Sequence, residues 1–244
     1  MDVETTFMKK ISCPHCKKEI SVLRVKSRFF KNMQRFPDFG VIYEDNFSPY
    51  LYEIVVCPNC GYAWNVDGDE ALMPAHVERL KPILANWKYE DYNCELRTQE
   101  QAIAACMRGI LCDQVRQAKA SGLAKKALHL AWIYRGLKDS VNEKRFLTMA
   151  RDNYRIAMNT EDLWGEHKGN EILVTYLTAV LSFYIGDDET GKRWLSRVIF
   201  NHPEAEERPN IVKMAKELWF DIRHSDWKSS LSEIEELAKS ADKG

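Results

Sequence analysis

Three observations predict a mostly α chain of the α+β class. Two C-x-x-C pairs, Cys13-Pro14-His15-Cys16 and Cys57-Pro58-Asn59-Cys60, fall in the first quarter of the 244 residues, each flanked by short runs of β-branched and aromatic residues. From Ala75 onwards apolar residues recur at intervals of three and four, the spacing of one helix face. Glycine, proline and small polar residues then cut that stretch into segments of helical length.

The strand-like runs are Ile11 and 20–25 around the first pair, and 51–56 and 62–66 around the second. Proline after the first cysteine of each pair fixes one backbone torsion. The residue after the second cysteine often needs a positive φ, which Gly61 accepts freely and Lys17 does not. Brought together, Cys13, Cys16, Cys57 and Cys60 offer four thiolates to one tetrahedral ion. Four sulfurs leave no open coordination position, so the pattern predicts one structural Zn2+ ion in a zinc-ribbon-like module, residues 1–74. Iron is the alternative metal for such a sulfur set. Structural zinc contributes on the order of 10 to 16 kcal/mol, so residues 10–66 are expected to lose their fold without metal. His15, between the two cysteines of its own turn, is expected to face solvent.

The 40 residues between the pairs carry Phe29, Phe30, Phe36, Phe39, Phe47, Tyr50 and Tyr52 among turn formers such as Pro37-Asp38-Phe39-Gly40. These rings are expected to cover the ribbon itself, ahead of packing on the helices or forming an exposed patch.

Residues 75–244 predict an all-α domain. Ile103, Met107, Ile110 and Leu111 mark one helix, 123–137 a second and 146–157 a third. Further helices are predicted over 170–185, 188–201, 209–224 and 227–240, separated by Gly186-Asp187-Asp188, His202-Pro203 and Arg208-Pro209. Leu130-Ala131-x-x-Tyr134 with Ala150-x-x-x-Tyr154-x-x-Ala157, followed by Gly191-x-x-x-Leu195-x-x-Val198, gives a tetratricopeptide-like alternation of small and large residues. The step from Ala150 to Gly191 is longer than the ~34 residues of that repeat, and a generic helix bundle stays open.

With 35 basic and 36 acidic residues the chain is close to neutral, which argues against a global electrostatic grip on nucleic acid or membrane. Charge is uneven, however: residues 1–36 hold nine Lys or Arg against three acids, and 37–75 hold seven acids and no Lys or Arg. Pairing between these two sets is the expectation, ahead of a phosphate-binding rim. The N-terminal ten residues lack a signal-peptide core, and the apolar run 172–185 is broken by Thr175, Thr178 and Ser182. A cytoplasmic location is expected, in which Cys94, Cys106 and Cys112 are unreactive core thiols.

The first C-P-x-C, the insert ending in Pro49-Tyr50-Leu51-Tyr52, the second knuckle Val55-Val56-Cys57-Pro58-Asn59-Cys60-Gly61-Tyr62-Ala63 and the long helical tail together resemble a bacterial family, domain of unknown function 2225. The resemblance implies metal binding, a tetratricopeptide-like C-terminal region and a cytoplasmic protein. It implies no activity.

Enzyme motifs are absent from the sequence: there is no G-x-S-x-G, P-loop, dinucleotide fingerprint or H-E-x-x-H. The polar cluster Trp164-Gly165-Glu166-His167-Lys168-Gly169 is expected to be a loop, not a catalytic site. A non-catalytic scaffold that binds a protein or peptide partner through its helices is the leading reading. The alternative is nucleic-acid binding through the basic knuckle residues Lys17 and Lys18, with Phe29 and Phe30 stacking on bases.

Overall fold

The computed structural model describes residues 6–26, 32–43, 48–68, 72–93, 96–163 and 170–224. Phe29, Phe30, Phe47, Cys94, the 164–169 cluster and the expected helix 227–240 lie outside the described residues. Among the described residues six short strands form three antiparallel hairpins: β1 (Thr6–Ser12) with β2 (Glu19–Val25), β3 (Asn32–Arg35) with β4 (Val41–Tyr43), and β5 (Ile54–Val56) with β6 (Ala63–Asn65). Seven helices follow among the described residues: α1 (Pro74–Leu84), α2 (Gln99–Arg116), α3 (Ala120–Gly136), α4 (Ser140–Thr160), α5 (Asn170–Ile185), α6 (Asp188–Phe200) and α7 (Pro209–His224). A small β module followed by helices is thus the observed fold class. The chain divides into two compact units, Met1–Asn153 and Tyr154–Gly244, so the change from strand to helix at Pro74 lies inside the first.

Two details of the insert differ from the sequence expectation. Residues 49–52 form a 3-10 turn instead of opening a strand, because Ser48 accepts the N–H of Tyr50 and Pro49 fixes the entry, which shortens β5 to three residues. The Pro37–Gly40 turn closes a hairpin, β3–β4, that no alternation in the sequence marked. Its turn carries Asp38, fully buried, whose carboxylate accepts from Trp132 Nε1 at 3.0 Å and from both terminal nitrogens of Arg135 at 3.0 and 2.7 Å. The rings follow the same route: the Arg135 guanidinium lies over Phe36, and Tyr50 packs 4.9 Å from Trp132. The aromatic insert therefore packs on α3, the second-ranked of the expected placements. Indole and guanidinium donors there satisfy a carboxylate that the ribbon could not.

In the same unit, Thr98 and Gln101 form a reciprocal cap that starts α2. Asp113 on α2, with 1% of its side chain exposed, binds Lys126 of α3 at 2.7 Å and Arg116 at 2.9 Å, tying the two helices by a buried ionic contact. Gly109 lets α2 lie directly on β5, since a Cβ there would sit 3.2 Å from Ile54 Cγ2.

In the second unit α5 and α6 form the tightest helix pair. Gly191 faces Phe183, and a Cβ in its place would come within 2.8 Å of three ring atoms, so the small residue sets how closely the helices approach. Leu195, Val198 and Leu181 fill the shared core. The start of α5 is capped from afar: the buried carboxylate of Glu204 accepts the Ile172 N–H at 2.9 Å. No described helix is long and apolar enough to cross a membrane.

Candidate metal centre

Both cysteine pairs occupy six-residue loops that close hairpins, 13–18 between β1 and β2 and 57–62 between β5 and β6. The loops share one hydrogen-bond frame. Cys13 N donates to Lys18 O at 2.9 Å and Lys17 N to Cys13 O at 3.0 Å; Cys57 N donates to Tyr62 O and Gly61 N to Cys57 O, both at 2.8 Å. The residue after the second cysteine is left-handed in each, Lys17 at φ 62° and Gly61 at φ 70°. Lys17 thus adopts the conformation its position demands despite its Cβ, and its ammonium donates to Pro14 O across the same loop.

The loops meet at their sulfurs. The four Sγ atoms of Cys13, Cys16, Cys57 and Cys60 lie within 4.8 Å of one another, and none is in a disulfide. Bonds of about 2.3 Å to a tetrahedral ion space sulfurs by about 3.8 Å. The cross-loop pairs Cys13–Cys60 and Cys16–Cys57 stand at 3.7 Å, so the donor set fits a single four-sulfur ion. Backbone N–H groups already point at the sulfurs: Cys16 at Cys13, Asn59 and Cys60 at Cys57, and Tyr62 at Cys60.

Four crowded thiols share charge unevenly. Cys57 is held far below the usual thiol range by bonds from the Cys13 and Cys60 thiols and by the Cys60 and Asn59 N–H groups. Cys13 is pushed up to about 12, first by its bond to Cys57 and then by burial. Cys60 is also driven up, through its bonds to Cys13 and Cys57. A bound cation relieves this repulsion and allows all four to ionise together.

His15 does not face solvent as expected. Both ring nitrogens are buried without a hydrogen-bond partner among the described residues, burial lowers its basicity, and the ring sits 6.0 Å from Tyr62. It lies beside the sulfurs without joining the cluster. The other described cysteines, Cys106 and Cys112, are buried in α2. Burial pushes the Cys106 thiol up to about 12 and raises Cys112, which also accepts the Ala63 N–H.

The second loop is gripped by side chains that sequence reasoning missed. Trp87 Nε1 donates to Pro58 O at 2.9 Å, Arg108 Nε donates to Gly61 O, and the guanidinium lies 4.1 Å over the Trp87 ring. Asn93 Nδ2 donates to Val56 O at 2.7 Å, and Arg97 Nη1 to Leu51 O and Ile54 O at 2.7 and 2.8 Å. Their partners are main-chain carbonyls 29 to 47 positions away, which no local spacing reveals. A Cβ on Gly61 would run into Trp87 and Arg108, so this glycine serves the grip as well as the turn.

The basic residues of the first hairpin are partly neutralised within the module. Lys10 binds Glu19 at 3.0 Å, and Arg24 meets both carboxylate oxygens of Asp67 at 2.9 and 3.1 Å. No curated protein and no solved structure matches the chain. Residues 6–222 match the model of the family described as an uncharacterized protein conserved in bacteria (DUF2225), and the chain belongs to that family.

Proposed function

We propose that this chain is a non-catalytic interaction scaffold, cytoplasmic, in which one Zn2+ ion on Cys13, Cys16, Cys57 and Cys60 staples two hairpins to a helical array that receives a protein or peptide partner. The observation that carries this reading is the closed four-sulfur cluster, whose donors fill every position of a tetrahedral ion and leave none for a substrate. Zinc is favoured over iron because the ion's task in this reading is to hold, not to exchange electrons. Helix pairs of the α5–α6 kind, related in spacing to tetratricopeptide units, present side chains in rows suited to an extended peptide. A cavity lined by Tyr43, Tyr50, Trp132 and Ile133 among others measures about 30 Å3, space for a water or two.

Elemental analysis of the purified full chain beside Cys57→Ser tests the metal. One equivalent of zinc in the first and none in the second is expected; a metal-free wild type prepared under reducing conditions would end the reading. The partner is tested by cross-linking in the host with the sites mapped onto α2–α7. Cross-links confined to the hairpins, or to nucleic acid with salt-dependent retention, would move the function to the nucleic-acid alternative. The Lys10–Glu19 and Arg24–Asp67 pairs lower the net positive charge around Lys17 and Lys18, on which that alternative rests.

A further inference from the structure

Asn93 is bonded to both halves of the sulfur cluster's frame. Its carbonyl accepts the Leu23 N–H of β2 at 2.7 Å, so it extends the first hairpin. Its side-chain amide donates to Val56 O, the residue before Cys57, at 2.7 Å, so it also extends the second. Only 2% of Asn93 is exposed, and its Oδ1 accepts from Arg97 Nη2 at 3.2 Å. The N–H of Asn93 is in turn fixed by Asp91 Oδ1 at 2.8 Å. Every polar group of this one residue is therefore used, and its two hairpin bonds can coexist only while the hairpins stand side by side.

One other polar tie joins them among the described residues, the Arg24–Asp67 ion pair between β2 and the end of the second hairpin, and its carboxylate is exposed where Asn93 is buried. Within each hairpin the ladder is complete, but the three hairpins form three separate two-stranded sheets with no strand-to-strand ladder between them. Trp87, Arg97 and Arg108 grip the second hairpin. Among the described residues, the buried ties between the cysteine hairpins are thus the sulfurs at one end and Asn93 beside them, with the Arg24–Asp67 pair at the surface.

We propose that Asn93 is a latch that couples metal occupancy of the four-cysteine site to docking of the 87–93 stretch between α1 and α2. This rests on the metal reading given above. With an ion shared by the two loops, the gap that Asn93 bridges is fixed in advance and its bonds form without further ordering of the hairpins. With the ion removed, the loops separate, the two Asn93 bonds cannot both be kept, and the 87–93 stretch loosens. Linkage makes the effect reciprocal: a chain whose latch is broken holds its metal less tightly by the same factor.

The test uses the zinc-loaded full chain, the Asn93→Ala variant, and Asp38→Asn as a control in the same compact unit that touches neither cysteine hairpin. Zinc transfer to a colorimetric chelator is timed, and amide hydrogen exchange is followed over 87–93 and over α5. Chelation is expected to speed exchange in 87–93 and leave α5 unchanged. Asn93→Ala is expected to release zinc about tenfold faster, the scale of outer-sphere partners of metal ligands, with Asp38→Asn close to wild type. If zinc leaves without altering exchange in 87–93, or if Asp38→Asn releases it as fast as Asn93→Ala, the latch is overturned while the metal site stands. A wild-type chain that takes up no zinc removes the metal reading and the latch with it.

Discussion

The carboxylate of Asp38 and the guanidinium of Arg135 form a two-pronged ion pair, at 3.0 and 2.7 Å, between residues 97 positions apart. Asp38 is fully buried, and Trp132 Nε1 and the Gly40 N–H supply its remaining bonds. The β3–β4 turn is thereby fastened to α3. Asp38→Ala removes the two-pronged partner of a largely buried Arg135, whose Nε also binds Glu143, and should destabilise the first unit by about 3 to 5 kcal/mol. Urea midpoints measure it. Adding Arg135→Met should recover part of the loss, and a loss under 1 kcal/mol for the single variant would show the pair to be dispensable.

Lys17 and Gly61 hold equivalent left-handed positions in the two loops, so substitutions at them should have opposite signs. Lys17→Gly removes a Cβ penalty of about 1 kcal/mol and should raise the melting temperature by a few degrees. Gly61→Ala adds that penalty and a clash with Trp87 and Arg108, and should cost about 2 to 4 kcal/mol. Equal effects at both sites would contradict the shared loop geometry.

At the α5–α6 contact, Gly191→Ala should destabilise the second unit by about 1 to 3 kcal/mol, although alanine is the better helix former. Phe183→Leu in the same chain should relieve much of this. Gly122→Ala is the internal comparison: it has open space around it in α3 and should stabilise by about 0.5 to 1 kcal/mol. Thermal unfolding of the three variants decides the matter.

His202 is buried with its tautomer defined. Nδ1 accepts the Glu204 N–H at 3.2 Å, which leaves the proton on Nε2, 3.2 Å from Thr175 Oγ1. Burial lowers its basicity, against a smaller opposing pull from Glu171, while Arg197 adds to the lowering. Above pH 6.5 the ring is neutral whether or not the chain is folded, and its contribution to stability is complete. Below that, the unfolded chain binds a proton that the folded one refuses, and stability falls by at most about 1.4 kcal/mol per pH unit. Denaturant titrations between pH 7.5 and 5 should show this slope in wild type and a flatter one in His202→Gln.

The cysteine pairs were legible in the sequence because their chemistry sits in four adjacent letters, and the same is true of most helix ends. Asp187 accepting the Thr190 N–H and Pro209 opening α7 are local devices, and α5 and α7 begin and end where the pattern put them. The β3–β4 hairpin was not legible, since four- and three-residue strands carry no alternation and Asp38 looks like an ordinary turn aspartate until α3 is beside it. Arg97 was silent for a similar reason. Its guanidinium is made less basic by burial and, among the described residues, gives its hydrogen bonds to carbonyls and an amide oxygen, a pattern no spacing of charges announces. His15 misled through proximity: Pro14 and Cys16 beside it are half-buried and Lys17 exposed, while the groups that come near its ring, Tyr62 and Lys81, are distant in sequence.

The two cysteine loops are twins in their main chain and strangers in their surroundings. One is backed by an indole and a guanidinium; the other ends an outward-facing ribbon whose first strand is largely bare to solvent. Unequal mooring of equal jaws gives the bite a direction. If the site carries the proposed ion, a chelator should free the Cys13–Cys16 jaw first while the Cys57–Cys60 jaw stays, an order that thiol alkylation timed during chelation reads out.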